Sequence, residues 1–148
     1  MKLDLNHFKR FEKQIILKKI GVVGQKKIFS SRVLIVGMGG LGCPLLTYLA
    51  ASGIGKIGIV DFDKVEISNL NRQTLFNLND IGKFKVTQAK KVVEKINSKL
   101  KIQIFKKKLI SENINTICKS FDIICDGTDN FETRYLINDY CKKNKKIL

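Results

Sequence analysis

Arg32-Val-Leu-Ile-Val-Gly-Met-Gly-Gly-Leu-Gly-Cys-Pro44, read with Lys56-Ile-Gly-Ile-Val-Asp-Phe-Asp63, decides the fold. Val33 to Val36 is a short apolar run, and Gly37, Gly39 and Gly42 follow it at the spacing G-x-G-x-x-G. Leu41 to Ala51 is apolar and long enough for about three helical turns. Ile57 to Val60 is a second apolar run that ends on Asp61. Strand, glycine turn, helix, strand and acid make a nucleotide-binding βαβ unit. The glycines permit a tight turn and close approach of a phosphate to the backbone. The helix start offers free N–H groups and the positive end of a dipole. An acid at the second strand tip can accept from ribose hydroxyls. The turn by itself fits a dinucleotide as well as ATP.

Outward from this unit, Phe8 to Ile20 has helical periodicity, Gly21 and Gly24 are expected to break it, and Gln25 to Phe29 suits a short further turn. Downstream, Lys64 to Gly82 is an Asn-rich connection of the length that is usually functional. Helical spacing resumes from Phe84 to Leu100, and Lys101 to Lys107 alternates as a strand. Ser111 is expected to cap a short helix toward Cys118. Phe121 to Cys125 reads as a buried strand, and Asp129 or Asn130 caps a helix to about Lys142. Lys146 to Leu148 opens another strand. The order predicts an α/β fold: a doubly wound, Rossmann-like parallel sheet over 32–148, behind an N-terminal helical arm at 1–31.

The 148 residues carry a net charge of +15, yet only four of the 28 basic residues are Arg. The lysines are scattered rather than interleaved with aromatics, so we read a solvated surface and no nucleic-acid partner. No apolar run suggests a membrane span, and the first residues carry no apolar signal region, so a cytoplasmic protein is expected. Cys43, Cys118, Cys125 and Cys141 form no C-x-x-C pair, which predicts reduced, mostly buried thiols and no zinc site.

The chemistry lies beyond the second strand. Ser68-Asn-Leu-Asn-Arg-Gln73 is a polar loop whose Arg72 fork suits phosphate oxygens. Lys85 begins a helix, where a cation is unfavourable unless an anion compensates, and this points to a polyphosphate. Cys125-Asp-Gly-Thr-Asp-Asn130 follows another parallel strand, where ligands of open α/β sheets bind. Asp126 and Asp129 are both candidates there, and a carboxylate beside phosphates implies Mg²⁺ between them. His7 is the sole histidine, and no nucleophile–base pair is evident. The set suits nucleotidyl transfer by positioning and charge stabilisation.

These residues resemble the bacterial activating enzymes of the ThiF/MoeB/HesA family, relatives of the ubiquitin-activating E1 enzymes. The resemblance rests on Arg10 to Leu17, Gly24-Gln-Lys26, Arg32 to Pro44, Asp61 to Asp63, Ser68 to Gln73, Gly82 with Lys85, and Asp126 to Asn130. It implies an adenylyltransferase that uses MgATP to activate the C-terminal glycine of a ubiquitin-like sulfur-carrier protein, for thiamine or molybdopterin synthesis. It places Gly37, Gly39, Gly40 and Gly42 at the nucleotide and its phosphates and Asp61 at the ribose, with Asp63 among the cofactor-binding residues. It places Asn69, Arg72 and Lys85 on the phosphates and Asp129 on Mg²⁺, with Gln73 and Asn130 among the cofactor-binding residues. Arg72, Lys85 and Asp129 would be the catalytic groups. Arg10 and Lys13 would join the ATP site, Lys13 standing where the family has an arginine that crosses a homodimer. Lysine there keeps the charge and loses the fork. The chain is shorter than family members and lacks their zinc-binding cysteine pairs, which predicts a fragment. Two alternatives stay open: a non-catalytic nucleotide-binding and carrier-docking part, and an NAD(P)-dependent oxidoreductase.

Overall fold

The computed structural model describes residues 4–148; the first three residues of the expected N-terminal arm lie outside them. Helices α1 (Leu5–Ile15) and α2 (Gly21–Ser30) precede strand β1 (Arg32–Val36). Then come α3 (Gly42–Ser52), β2 (Lys56–Val60), α4 (Lys85–Ile96), β3 (Lys101–Phe105), α5 (Ser111–Cys118), β4 (Ile123–Asp126) and α6 (Phe131–Asn144). The sheet is parallel in the order β3-β2-β1-β4, with Ile35 opposite Ile59 on one side and Cys125 on the other. Ile147, in the stretch where a last strand is expected, makes an isolated parallel bridge to Ile123 of β4.

The strands are apolar runs rather than alternating ones because both faces are covered. Val33, Ile35, Ile57 and Ile59 point to one face, where Leu46, Ala50, Val86, Ala89 and Val93 of α3 and α4 close over them. Leu34, Val36 and Val60 point to the other, under Ile114, Ile117, Ile137 and Cys141 of α5 and α6. This is the doubly wound arrangement that the element order predicts. No helix among the described residues is long and apolar enough to cross a membrane.

Two local expectations are corrected. The first helix stops at Ile15, and a separate helix runs through both glycines expected to break the chain. Gly21 turns the corner at φ +58°, and Gly24 sits inside α2. Glycine disfavours a helix by only about 1 kcal/mol, and tertiary contacts outweigh it. Buried Gln25 donates to the Ser52 carbonyl at 3.1 Å, and Phe29 meets Phe11 edge-to-face at 5.0 Å. Ser111 is not a cap: it is the first residue of α5, and the Asn113 side chain accepts the Ile110 N–H instead, at 3.0 Å. The long connection expected after β2 is present. Short 3₁₀ turns at Ile67–Asn69 and Leu78–Asp80 fold it, and it buries Leu75 and Phe76.

All four cysteines are free thiols. Burial pushes Cys43 up to about 11 and Cys118 up to about 12. Both are expected to resist iodoacetamide at pH 8 in the folded chain and to react once it is denatured, which mass spectrometry of the alkylated peptides reads directly. The sign for stability follows: these thiols stay neutral in the fold while unfolded ones ionise, so stability is lost as pH rises above about 9.

Candidate functional site

The chain passes from β1 outward through β2 to β3, and only then crosses to the other side of β1 with β4. The loops after β1 and β4 therefore diverge, and ligands of such sheets bind in that crevice. The Gly37 N–H donates to the Val60 carbonyl and the Gly127 N–H to the Val36 carbonyl, each at 2.8 Å, which locks the three strand tips together. A cavity of about 820 Å³ opens above them.

The four glycines of the turn divide into two pairs. A Cβ on Gly42 would lie 1.9 Å from the Gly37 carbonyl oxygen, and Gly37 itself sits at φ +92° with its Cβ direction blocked by the Gly127 carbonyl at 2.8 Å. Those two are required by the fold, and Gly42 does not line the cavity. A Cβ on Gly40 would meet only the Arg72 stem at 3.6 Å, and one on Gly39 only the Gly127 carbonyl at 4.0 Å. Their bareness opens the cavity floor to a ligand. Gly40→Ala is thus expected to change stability by no more than about 0.5 kcal/mol. It should weaken binding of a phosphate-bearing ligand by roughly tenfold or more, by titration calorimetry.

Asp61 directly follows β2 and is buried; its two carboxylate oxygens accept the Met38 and Asp63 N–H groups, each at 2.7 Å. Burial raises its pKa from the ordinary value, against those two donors and the charge of Lys85. Lys85 opens α4 with its side chain 7% exposed, and its Nζ lies 3.0 Å from Asp63 Oδ2. The anion that the sequence demanded beside this helix start is therefore present in the chain itself. Arg72 lies over Gly40 and donates from Nη1 to the Ser68 carbonyl at 2.9 Å and Asn71 Oδ1 at 3.2 Å. Its Nε and Nη2 groups have no acceptor among the described residues. Asn69 is buried and its Oδ1 accepts the Glu66 N–H at 3.2 Å, so its side chain also holds the loop. Gln73 is buried in the cavity lining, and its Oε1 has no hydrogen-bond partner.

On the β4 side the two acids take different roles. Asp126 Oδ1 accepts from the Thr128 N–H at 2.8 Å and the Thr128 hydroxyl at 2.6 Å, with Arg134 Nε 3.8 Å from its other oxygen. Asn130 is the helix cap, accepting the Thr133 N–H at 2.9 Å. Asp129 is thereby left exposed, with no ion pair among the described residues. No cluster of three metal-ligating side chains exists among them either. A cation brought by a nucleotide takes one or two carboxylates and phosphate oxygens, and Asp129 fits that donor set.

The cavity thus gathers Gly37, Gly39, Gly40, Asp61, Asp63, Asn69, Arg72, Gln73, Lys85, Asp129 and Asn130. Arg10 and Lys13 do not line it. Helix α1 lies at the opposite edge, where Arg10 Nη2 donates to the Ile96 carbonyl and lines a separate concavity of about 560 Å³ with Arg32, Lys56 and Lys101 at the strand starts. Lys13 is 85% exposed, 3.8 Å from Glu12. Neither reaches the cavity of its own chain. Sequence reading missed Lys64, Glu66, Lys107, Lys108 and Glu132, which also line it. The run Lys106 to Lys108 directly after a parallel strand was the available signal.

A glycine turn at the switch point, a strand-tip acid and converging cations define a nucleotide-binding α/β protein of the doubly wound class. The sequence model of the ThiF family matches residues 11–148, and the chain belongs to the ThiF family. It is 51% identical over 144 residues to the probable molybdopterin-synthase adenylyltransferase of Porphyra purpurea, covering 97% of this chain and 38% of that protein. It is 42% identical over 130 residues to the sulfur carrier protein adenylyltransferase of Thermus thermophilus, covering 88% of this chain and 48% of that one. The chain thus spans less than half the length of these relatives. Among solved structures, Escherichia coli MccB with ATP is 32% identical at TM-score 0.77, over 82% of this chain and 37% of that chain. The E. coli tRNA N6-threonylcarbamoyladenosine dehydratase TcdA with ATP superimposes at TM-score 0.93 over all of this chain and 60% of that one. At 23% identity that likeness establishes the fold alone.

Proposed function

We propose that the chain is the ATP-binding part of an adenylyltransferase that activates the C-terminal glycine of a ubiquitin-like sulfur carrier. The observation that carries this reading is the cavity floor. Gly39 and Gly40 need no bareness for the fold, and Arg72, Lys85 and Asp129 surround the space they leave. The carrier's terminal carboxylate is ionised at neutral pH, so its attack on the α-phosphorus needs no enzyme base. A new acyl O–P bond forms, the bond to the β-phosphate bridging oxygen breaks, and pyrophosphate leaves with that electron pair. Arg72 and Lys85 offset the charge on the phosphate oxygens, and Asp61 receives ribose hydroxyls through its remaining lone pairs. Gln73 Oε1 offers a buried acceptor to a ligand donor. Mg²⁺, held by Asp129, supplies further neutralisation of phosphate charge when bound. The names of the relatives, for molybdopterin synthase and for a sulfur carrier, support a sulfur-carrier partner of this kind. Lys13 would serve only the cavity of a second copy, as in a homodimer.

The test is ATP–pyrophosphate exchange with a carrier ending in Gly-Gly. Exchange is expected with that carrier and not with one lacking the final glycine. MgATP binding without exchange would favour the non-catalytic reading instead. Tight NADH binding with no ATP binding would overturn both.

A further inference from the structure

The Asp63–Lys85 pair has the geometry of a stand-in for the ligand's own charge. Lys85 is nearly fully buried and faces the cavity, whereas Asp63 is 48% exposed. Backbone bonds fix the approach: the Lys85 N–H donates to the Asp63 carbonyl at 3.0 Å, and Lys64 bridges Phe84 between them. The Asp63 N–H in turn donates to Asp61 Oδ1, whose partner oxygen holds the Met38 N–H of the glycine turn. The carboxylate is thus locked beside the one buried ammonium of the cavity. A buried cation without a counter-charge is strongly unfavourable. In the ligand-free chain Asp63 supplies that counter-charge. A phosphate group approaching Lys85 therefore meets an ammonium already neutralised and a carboxylate that repels it.

We propose that Asp63 is a placeholder anion, a positioning residue that holds Lys85 in place before ATP arrives and opposes ATP once it does. The proposal rests on the ATP-binding reading above and reverses the role expected for Asp63 from sequence. A cofactor-binding residue strengthens nucleotide binding; a placeholder weakens it and stabilises the empty chain.

The two roles predict opposite signs for Asp63→Asn. The empty variant melts at a lower temperature, because Lys85 loses its counter-charge while Asn keeps the shape. Its Kd for ATP, by titration calorimetry at fixed ionic strength, falls at least about threefold, since the repelling charge is gone and the freed ammonium seeks an anion. Inorganic tripolyphosphate, which has no ribose, shows the same tightening. Asp63→Glu, which keeps the charge, stays near the unmutated chain in both readouts. An unchanged or raised Kd in Asp63→Asn overturns the proposal. Should the empty variant not fold, saturating MgATP is expected to restore its fold by circular dichroism, and failure to do so overturns it equally. Absence of ATP binding by the unmutated chain overturns the ATP reading instead.

Discussion

Asp129→Ala is expected to lower carrier-dependent ATP–pyrophosphate exchange by at least about a hundredfold, the scale for losing one group that stabilises transition-state charge. The same substitution should leave the melting temperature nearly unchanged. The reason is a division of labour within five residues. Asp126 ties down Thr128 through two hydrogen bonds, Arg134 clamps the Thr128 carbonyl at 2.7 Å, and Asn130 caps α6. Asp129 does none of this and projects from a loop held rigid by its neighbours. Asp126→Ala is the contrasting variant. It releases Thr128 and part of the hold on Arg134, so it is expected to lower stability and activity together. Exchange kinetics over a range of Mg²⁺, paired with thermal melts, separate the two. Near-normal exchange in Asp129→Ala would remove the acid from its assigned role.

Gly42→Ala carries the largest expected effect on folding. Its Cβ would lie 1.9 Å from the Gly37 carbonyl oxygen and 3.1 Å from Met38 Cε. The methionine end can move, but the carbonyl cannot. Gly37 is held at φ +92°, and its N–H is bonded to Val60 at the sheet. Relieving the clash means lifting the start of α3 from β1, which opens the contacts of Cys43 and Leu46 with the core. We expect a loss of about 3 kcal/mol or more, against a total stability on the order of 5–15 kcal/mol. That corresponds to a fall of roughly 10 °C in melting temperature. Gly40→Ala serves as its control, two positions away with its Cβ in ordinary van der Waals contact with the Arg72 stem. Equal melting temperatures for the two variants would contradict the division of the turn into structural and ligand-facing glycines.

Much of the site was legible because its chemistry is local. The glycine spacing, the acid at the strand tip and the polar loop to Gln73 each sit within a few residues of an element boundary, where hydrophobic pattern and turn chemistry mark them. The boundaries near Gly21, Gly24 and Ser111 were not legible, because contacts distant in sequence settle them. Gln25 reaches Ser52, and Phe29 reaches Phe11. No window of the sequence holds both members of such a pair.

By itself the sequence determined the order of strands and helices, the doubly wound class and the membership of the ThiF family. Apolar runs bounded by glycine and acid specify strands buried on both faces whatever the surroundings. The tertiary structure alone decided which residues share the cavity and how they are charged there. It set Arg10 at the end of the sheet where the strands start, away from the cavity. It also set Asp63 against Lys85 across twenty-two positions of sequence. From the sequence, a cation at a helix start called for an anion from outside. The fold supplies one from within, since a buried ammonium must be neutralised before any ligand arrives.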